Sequence, residues 1–177
     1  MHQRAIQTQH YGSLMRLPIS SEENVRAENV DRLGHVLADS ITLRDMYQQY
    51  GWQSPGSTFY QLHLLFEKHY KAQARVVDAI AERIQMLGGL AIGMGDHVSR
   101  KTNLPHLPRG REQVSVQLSR LLEAHELLIR EVRLTIQRSA VLPDQGTTDR
   151  LVSGVLRVNE RQVWVLAEHL AGTPETR

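Results

Sequence analysis

Residues 59–89 read FYQLHLLFEKHYKAQARVVDAIAERIQMLGG, and the periodicity of this stretch decides the fold. Phe59, Leu62, Phe66, Val76, Val77, Ile80, Ile84 and Leu87 fall on one side of a 3.6-residue repeat, as in a helix that buries one face. Ser57 or Thr58 marks its start, after Pro55-Gly56, and Gly88-Gly89 offers a C-terminal glycine stop. A polar line runs beside the apolar one. His63 and Glu67 are four apart, Asp78 and Glu82 are four apart, and Glu67 and Asp78 are eleven apart. At about 100° per residue, all four side chains lie within roughly a 100° arc. A single carboxylate pair at this spacing is ordinarily a solvated stripe. A histidine and three carboxylates in one register make a candidate metal-ligand set.

On either side of this segment the same helical period recurs. Val25, Leu33, Val36, Leu37, Ile41, Met46 and Tyr47 predict a long first helix, opened by a capping box of Ser20 and Glu23 and closed at Gly51 and Pro55-Gly56. Val114, Leu118, Leu121, Leu122, His125, Leu128, Val132 and Ile136 predict a third helix. A fourth starts at Thr147 or Thr148 and runs through Leu151, Val155, Leu156, Val163, Trp164 and Leu170. The links at 51–57 and 140–146 are short, whereas residues 88–111 are too long for a hairpin and suggest a crossover with a short helix near 92–99. No strand-like alternation competes. The expected fold is all-α, a four-helix bundle with one long crossover between the second and third helices, which is the ferritin-like connectivity. Residues 1–20 read as a flexible N-terminal tail, 21–171 as the bundle, and 172–177 as a short C-terminal tail.

Composition narrows the chemistry. The 177 residues are 41% hydrophobic and 23% charged, enough apolar material for a core. Nine histidines and no cysteine exclude a disulfide framework, thiolate zinc, an iron-sulfur cluster and a cysteine nucleophile. Any metal must be held by imidazole and carboxylate. With 21 basic against 19 acidic residues, the net charge of +2 gives no strong electrostatic argument for nucleic acid. No apolar run approaches membrane-spanning length, and the first ten residues lack the apolar core of a secretory leader, so no membrane association and a cytoplasmic location are expected.

Distance then limits how the four candidate ligands can cooperate. His63 and Glu82 are 19 positions apart, about 28 Å along a helix at 1.5 Å per residue. They cannot share a metal within one chain. A two-fold axis crossing the helix near Ala72-Gln73-Ala74 would lay His63 and Glu67 of one chain against Asp78 and Glu82 of another, with the two alanines allowing close approach. Two equivalent intersubunit sites about 22 Å apart result. Mixed imidazole and carboxylate donors suit iron, and zinc or manganese would fit the same set.

The run from Trp52 through Phe59, His63 and Glu67, continuing through Val77-Asp78 and Glu82-Arg83 to Gly89, closely resembles the Dps family of mini-ferritins, the DNA-binding proteins from starved cells. Leu121–Glu126, the run from Asp144 to Asp149, and Trp164 extend the likeness over about residues 22–171. The resemblance implies a hollow dodecamer that oxidises Fe(II), with hydrogen peroxide preferred over dioxygen, and stores ferric mineral. It also implies ferroxidase sites at two-fold interfaces, with His63 and Glu67 from one subunit and Asp78 and Glu82 from its partner. Trp52 would quench oxidising equivalents beside the site, or serve in interface packing. Asp144 and Asp149 would line three-fold pores that admit cations, although Asp149 also sits where it can stabilise a helix N-terminus.

In two respects the chain departs from the family's pattern. The family usually has His-Trp where this chain has Gly51-Trp52, so one imidazole ligand is missing; Gln48 and Tyr47, one turn back, are candidate substitutes. Family members commonly bind DNA through a lysine-rich tail, whereas residues 1–20 carry Arg4 and Arg16 and no lysine. DNA binding is therefore expected to be weak or absent, and any nucleoid association slight. The alternative to an iron-oxidising store is a structural or DNA-binding shell with weakened or lost ferroxidase activity. His35, His69, His97, His106, His125 and His169 show no mutual ligand spacing and read as surface or satisfied histidines.

Overall fold

A computed structural model describes residues 7–142 and 144–172, whose regular elements are all helical with no strand among them. Four long rods form the bundle: α1 (Glu23–Gln53), α2 (Phe59–Met86), α4 (Val114–Val141), and a last rod made of α5 (Gln145–Arg150), a π-helical turn (Leu151–Leu156) and α6 (Arg157–Ala171) running end to end. The crossover from α2 to α4 carries the short α3 (Gly95–Lys101). α1 packs along α2 and α4, and α4 against α6. This is the expected four-helix bundle with its long second connection. No helix among the described residues is long and apolar enough to cross a membrane.

Most of the apolar period of α2 is buried as its spacing predicts: Leu62, Phe66, Val76, Val77, Ile80 and Ile84 join Leu33, Leu37, Leu118, Leu121, Leu128 and Leu166 in one core, whereas Phe59, at the helix start, is exposed. α2 ends in a Schellman motif, in which Gly88 N–H donates to Gln85 O at 2.9 Å and Gly89 N–H to Ile84 O at 3.0 Å. Gly88 has φ +85°, and a Cβ there would lie 2.5 Å from Met15 O, so conformation and space both require glycine.

Three boundaries differ from the sequence expectation. The Ser20/Glu23 capping box does not form. Ser20 sits at φ 52°, Glu22 is the N-cap residue without a side-chain bond, and Asn24 Oδ1 takes the Val25 N–H at 2.9 Å. α3 starts at Gly95, and its end is held by buried Asp39, which accepts from Thr102 Oγ1 at 2.8 Å and Asn103 N–H at 2.7 Å. The fourth rod begins at Gln145, because Asp144 rather than a threonine is the cap.

Of the stretch read as a tail, residues 7–20 are non-helical and meet the end of α2: Met15 N–H donates to Gly88 O at 2.8 Å, and Arg26 Nη1 to Met15 O at 3.1 Å and Leu87 O at 2.9 Å. Residues 1–6 of that tail and 173–177 of the C-terminal one lie outside the described residues.

The centre of the bundle also holds buried polar groups. Gln73 Nε2 donates to Asn159 Oδ1 at 2.9 Å and Gln162 Oε1 at 2.8 Å, and the Tyr47 hydroxyl lies 2.6 Å from His125 Nε2. His69 packs edge-on to the Tyr47 ring at 5.1 Å. These residues come from all four rods and tie them in one register.

Candidate metal centre

His63 projects from the second turn of α2 beside the C-terminal turn of α1. Its ring stacks on Phe59, with centroids 5.5 Å apart, and its Nδ1 lies 2.8 Å from the carbonyl oxygen of Gly51. A carbonyl can only accept, so Nδ1 carries the proton and Nε2 keeps its lone pair. An imidazole oriented by a backbone carbonyl through one nitrogen and open at the other is the usual condition of a metal-ligating histidine. Glu67 lies one turn further along α2. Lys71 is 2.6 Å from its Oε1, and the hydrogen bond and charge of that lysine, with a lesser contribution from His63, hold the carboxyl below its ordinary range. The pair is exposed and spends little energy on stability. An open cavity of about 250 Å³ borders these groups, with Tyr47, Gly51, Trp52, His63, Glu67 and Lys71 among its lining residues. Trp52 is 67% exposed.

Asp78 and Glu82 lie further along the outer face of α2, both exposed. Among the described residues, no three histidine, aspartate or glutamate side chains come close enough together to hold a metal ion. The fold thus brings His63 together with Glu67 and leaves Asp78 and Glu82 at the other end of the same exposed stripe. Between the two pairs the stripe carries Lys71 and Arg75, with Ala72 and Ala74 half-buried at its edges.

At the position of the missing imidazole, Gly51 is buried, and a Cβ there would meet only Phe66 Cβ, at 3.7 Å. Of the candidate substitutes, Gln48 borders the cavity, whereas the Tyr47 hydroxyl is already held by His125. Neither the carbonyl that orients His63 nor the Tyr47–His125 pair is visible in the sequence, since both depend on how α1 packs against its neighbours. The Glu67–Lys71 pair could have been read from its four-residue spacing.

Asp144, one of the two residues expected at a pore, is held within the chain. Its side chain is 8% exposed and fully engaged: Thr147 N–H donates to Oδ1 at 3.1 Å, Thr147 Oγ1 to Oδ2 at 2.6 Å, Asn29 Nδ2 to Oδ2 at 3.0 Å, and Arg83 Nη2 to Oδ1 at 2.6 Å. It caps α5 and binds that helix to α1 and α2. Asp149, one turn later, is exposed. Of the remaining histidines, His125 and His69 are buried in the bundle, where desolvation holds their pKa values down to about 3 and about 4. His35 Nδ1 lies 3.3 Å from Lys101 O, His97 Nδ1 lies 3.1 Å from Arg100 Nη2, His169 Nδ1 lies 2.7 Å from Val165 O, and His106 is exposed.

Comparison with known proteins agrees with this architecture. The ferritin-like domain family matches residues 30–175. The chain superposes on DpsC from Streptomyces coelicolor with a TM-score of 0.93 at 45% identity, covering 97% of this chain and 100% of that one. It is 44% identical to an "Uncharacterized protein in bpoA2 5'region" of Kitasatospora aureofaciens over 81% of this chain and 96% of the relative. It is also 27% identical to a "DNA protection during starvation protein" of Agrobacterium fabrum, over 83% of this chain and 90% of the relative.

Proposed function

The chain belongs to the Dps family of ferritin-like proteins, and from that premise we propose that it oxidises Fe(II) with hydrogen peroxide at two-fold contacts between copies and stores the ferric product inside a dodecameric shell. The observation that carries this reading is the division of one exposed helical stripe into two half-sites. At one end, His63 has its Nδ1 proton on the Gly51 carbonyl and its Nε2 open beside Glu67; at the other stand Asp78 and Glu82. A second copy related by a two-fold axis through the middle of α2 brings the two ends together.

One imidazole and three carboxylates are a borderline-to-hard donor set that suits Fe(II) as substrate, and zinc would compete for it. Glu67 is already ionised at neutral pH, and Lys71 must yield its place to the incoming cation. Two Fe(II) ions give the two electrons that cleave the peroxide O–O bond: 2 Fe(II) + H2O2 + 2 H+ → 2 Fe(III) + 2 H2O. Consuming both reactants together limits radical release, a protective role in the cytoplasm that needs no DNA contact. Gly51 supports the second reading, a structural or weakly DNA-associated shell of reduced ferroxidase activity, because it leaves the site one side-chain ligand short.

Anaerobic Fe(II) mixed with peroxide, followed by ferric absorbance, tests the proposal. The native chain should form ferric product rapidly and sediment as a dodecamer, and His63→Ala/Glu67→Ala should lose the rapid phase. Equal rates for the two proteins would overturn the assignment.

A further inference from the structure

A cavity of about 810 Å³ is bounded by the N-terminal segment, α1, the end of α2 and α3, and none of the candidate metal ligands lines it. Its floor is aliphatic: Val30, Leu37, Ile84, Leu90, Ile92 and Val98 reach it from α1, α2, the crossover and α3. Residues 11–14 form one wall, and that wall is pinned in place, since Met15 N–H donates to Gly88 O at 2.8 Å and Gln9 Nε2 donates to the same oxygen at 2.9 Å. Concave apolar space of this size with a few convergent polar groups is the usual form of a small-molecule site.

A cation is built into the rim. Lys101, the last residue of α3, lies over Gly34 of α1, where a Cβ would come within 2.8 Å of its Nζ. Any side chain at position 34 would push the ammonium aside. From that place Nζ donates to Asp31 Oδ1 at 3.1 Å and to the Tyr11 hydroxyl oxygen at 3.4 Å. The two ends of the ion pair are unequal, with Lys101 23% exposed and Asp31 72% exposed. Asp31 can turn to water at little cost, whereas Lys101 stays at the mouth of an apolar space. His35, His97 and Arg100 also border the cavity, and Asp31 is the one carboxylate among its described lining residues.

We propose that this cavity binds a medium-chain aliphatic carboxylic acid, whose carboxylate takes the place of Asp31 on Lys101 and whose chain lies on the aliphatic floor. The exchange replaces an exposed ion pair, which contributes little, by a charge-assisted hydrogen bond at the edge of an apolar space. The Tyr11 oxygen accepts from Lys101, so its O–H is free to donate to the same carboxylate. A neutral lipid would leave the lysine to Asp31, and an amine would meet like charge. The bound acid touches both residues 11–14 and α3, and so fastens the N-terminal segment to the bundle. The site stands apart from the iron chemistry and does not depend on it.

Isothermal titration of the full chain with decanoate, below its micelle concentration, tests the site, together with hydrogen exchange over residues 7–14. The native chain should take up one decanoate per chain and exchange severalfold more slowly in that segment. Decanol, which has the same chain and no charge, should bind about tenfold more weakly, and naphthoate, which carries the charge on a rigid ring, should also bind more weakly. Lys101→Gln should weaken decanoate binding about tenfold. Gly34→Ala, which keeps the charge but displaces it, should weaken it severalfold, and Ile92→Trp, which fills the floor, should abolish it. Circular dichroism melts show whether each variant is folded, and the comparison of decanoate with decanol needs no variant. Equal affinity for decanoate and decanol, or undiminished binding in Lys101→Gln, overturns the site; tighter binding of naphthoate overturns its aliphatic specificity. No uptake by the native chain, as when a neighbouring copy fills the space, overturns the proposal and leaves the ferroxidase reading standing.

Discussion

The two faces of α2 treat polar side chains in opposite ways. On the inner face, Gln73 donates to Asn159 and Gln162, and His69 packs edge-on against Tyr47. On the outer face, His63 has one nitrogen committed, Glu67 leans on an exposed lysine, and Asp78 and Glu82 stand in solvent. Buried polar groups draw their partners from inside the chain, because each one left unmet costs about 1–3 kcal/mol; within the bundle Gln73 Oε1, His69 Nδ1 and His125 Nδ1 still go unmet among the described residues. Exposed ones carry no such requirement and are free to wait for a ligand or another copy. Damage to the inner network should therefore appear in stability, and damage to the outer stripe in chemistry.

The sharpest break should come at Asp144, which joins α5 to Arg83 of α2 and Asn29 of α1. Asp144→Ala leaves the half-buried Arg83 guanidinium with only Thr147 Oγ1 as a partner and removes an N-cap, and should cost about 3 kcal/mol. Chemical denaturation should show a large fall in midpoint. If Asp144 instead served only as a cation relay, stability would hold and iron uptake alone would fall.

On the outer face, His63→Ala/Glu67→Ala should slow peroxide-dependent ferric formation about 100-fold while shifting the denaturation midpoint little, since Glu67 is exposed and His63 only half-buried. A stability loss as large as that of Asp144→Ala would erase the distinction between the faces.

Acid separates them in a third way. Burial lowers the His125 pKa to about 3, below the ordinary histidine value. Between those two values the unfolded chain binds a proton that the folded chain refuses, so stability is full above about pH 6.5 and falls as the pH drops. At pH 5 the loss from His125 alone should be about 2 kcal/mol. Denaturation midpoints at pH 7 and pH 5 measure it, and an NMR titration showing His125 protonating near pH 6 would contradict the buried network.

How far these features were legible in the sequence follows the same division. The bundle could be read because Leu62, Phe66, Ile80 and Ile84 repeat at helical spacing, and Gly88-Gly89 ended α2 as expected. The four candidate ligands could be read because they share one helix. Helix starts read less well: Ser20 looked like a cap and Thr147 or Thr148 like the start of the fourth rod, yet Glu22 and Asp144 are the cap residues, and Asp144 is held by Arg83, 61 residues away. The inner knot was invisible for the same reason. Tyr47 and His125 are 78 residues apart, and nothing local distinguishes a buried histidine with a tyrosine partner from an exposed one.

Gly51 is the residue at which the two faces meet, and the smallest predicted effect tests their relation most directly. It is buried in the last turns of α1, its carbonyl orients His63, and its missing side chain leaves the centre one ligand short. Gly51→Ala fills helical backbone without supplying a donor. It should stabilise the chain by about 1 kcal/mol and leave Fe(II) affinity unchanged, because a Cβ there meets nothing nearer than Phe66 Cβ at 3.7 Å. Gly51→His keeps the same carbonyl on His63 and adds an imidazole beside the cavity. It should raise Fe(II) affinity about tenfold and speed the consumption of peroxide, as a second Fe(II) is held more tightly. Isothermal titration with Fe(II) under argon measures the first change, and peroxide consumption the second. If Gly51→His gained nothing over Gly51→Ala, the centre would already be complete without an imidazole at position 51, and the stripe on the outer face would be less open than the chain alone makes it.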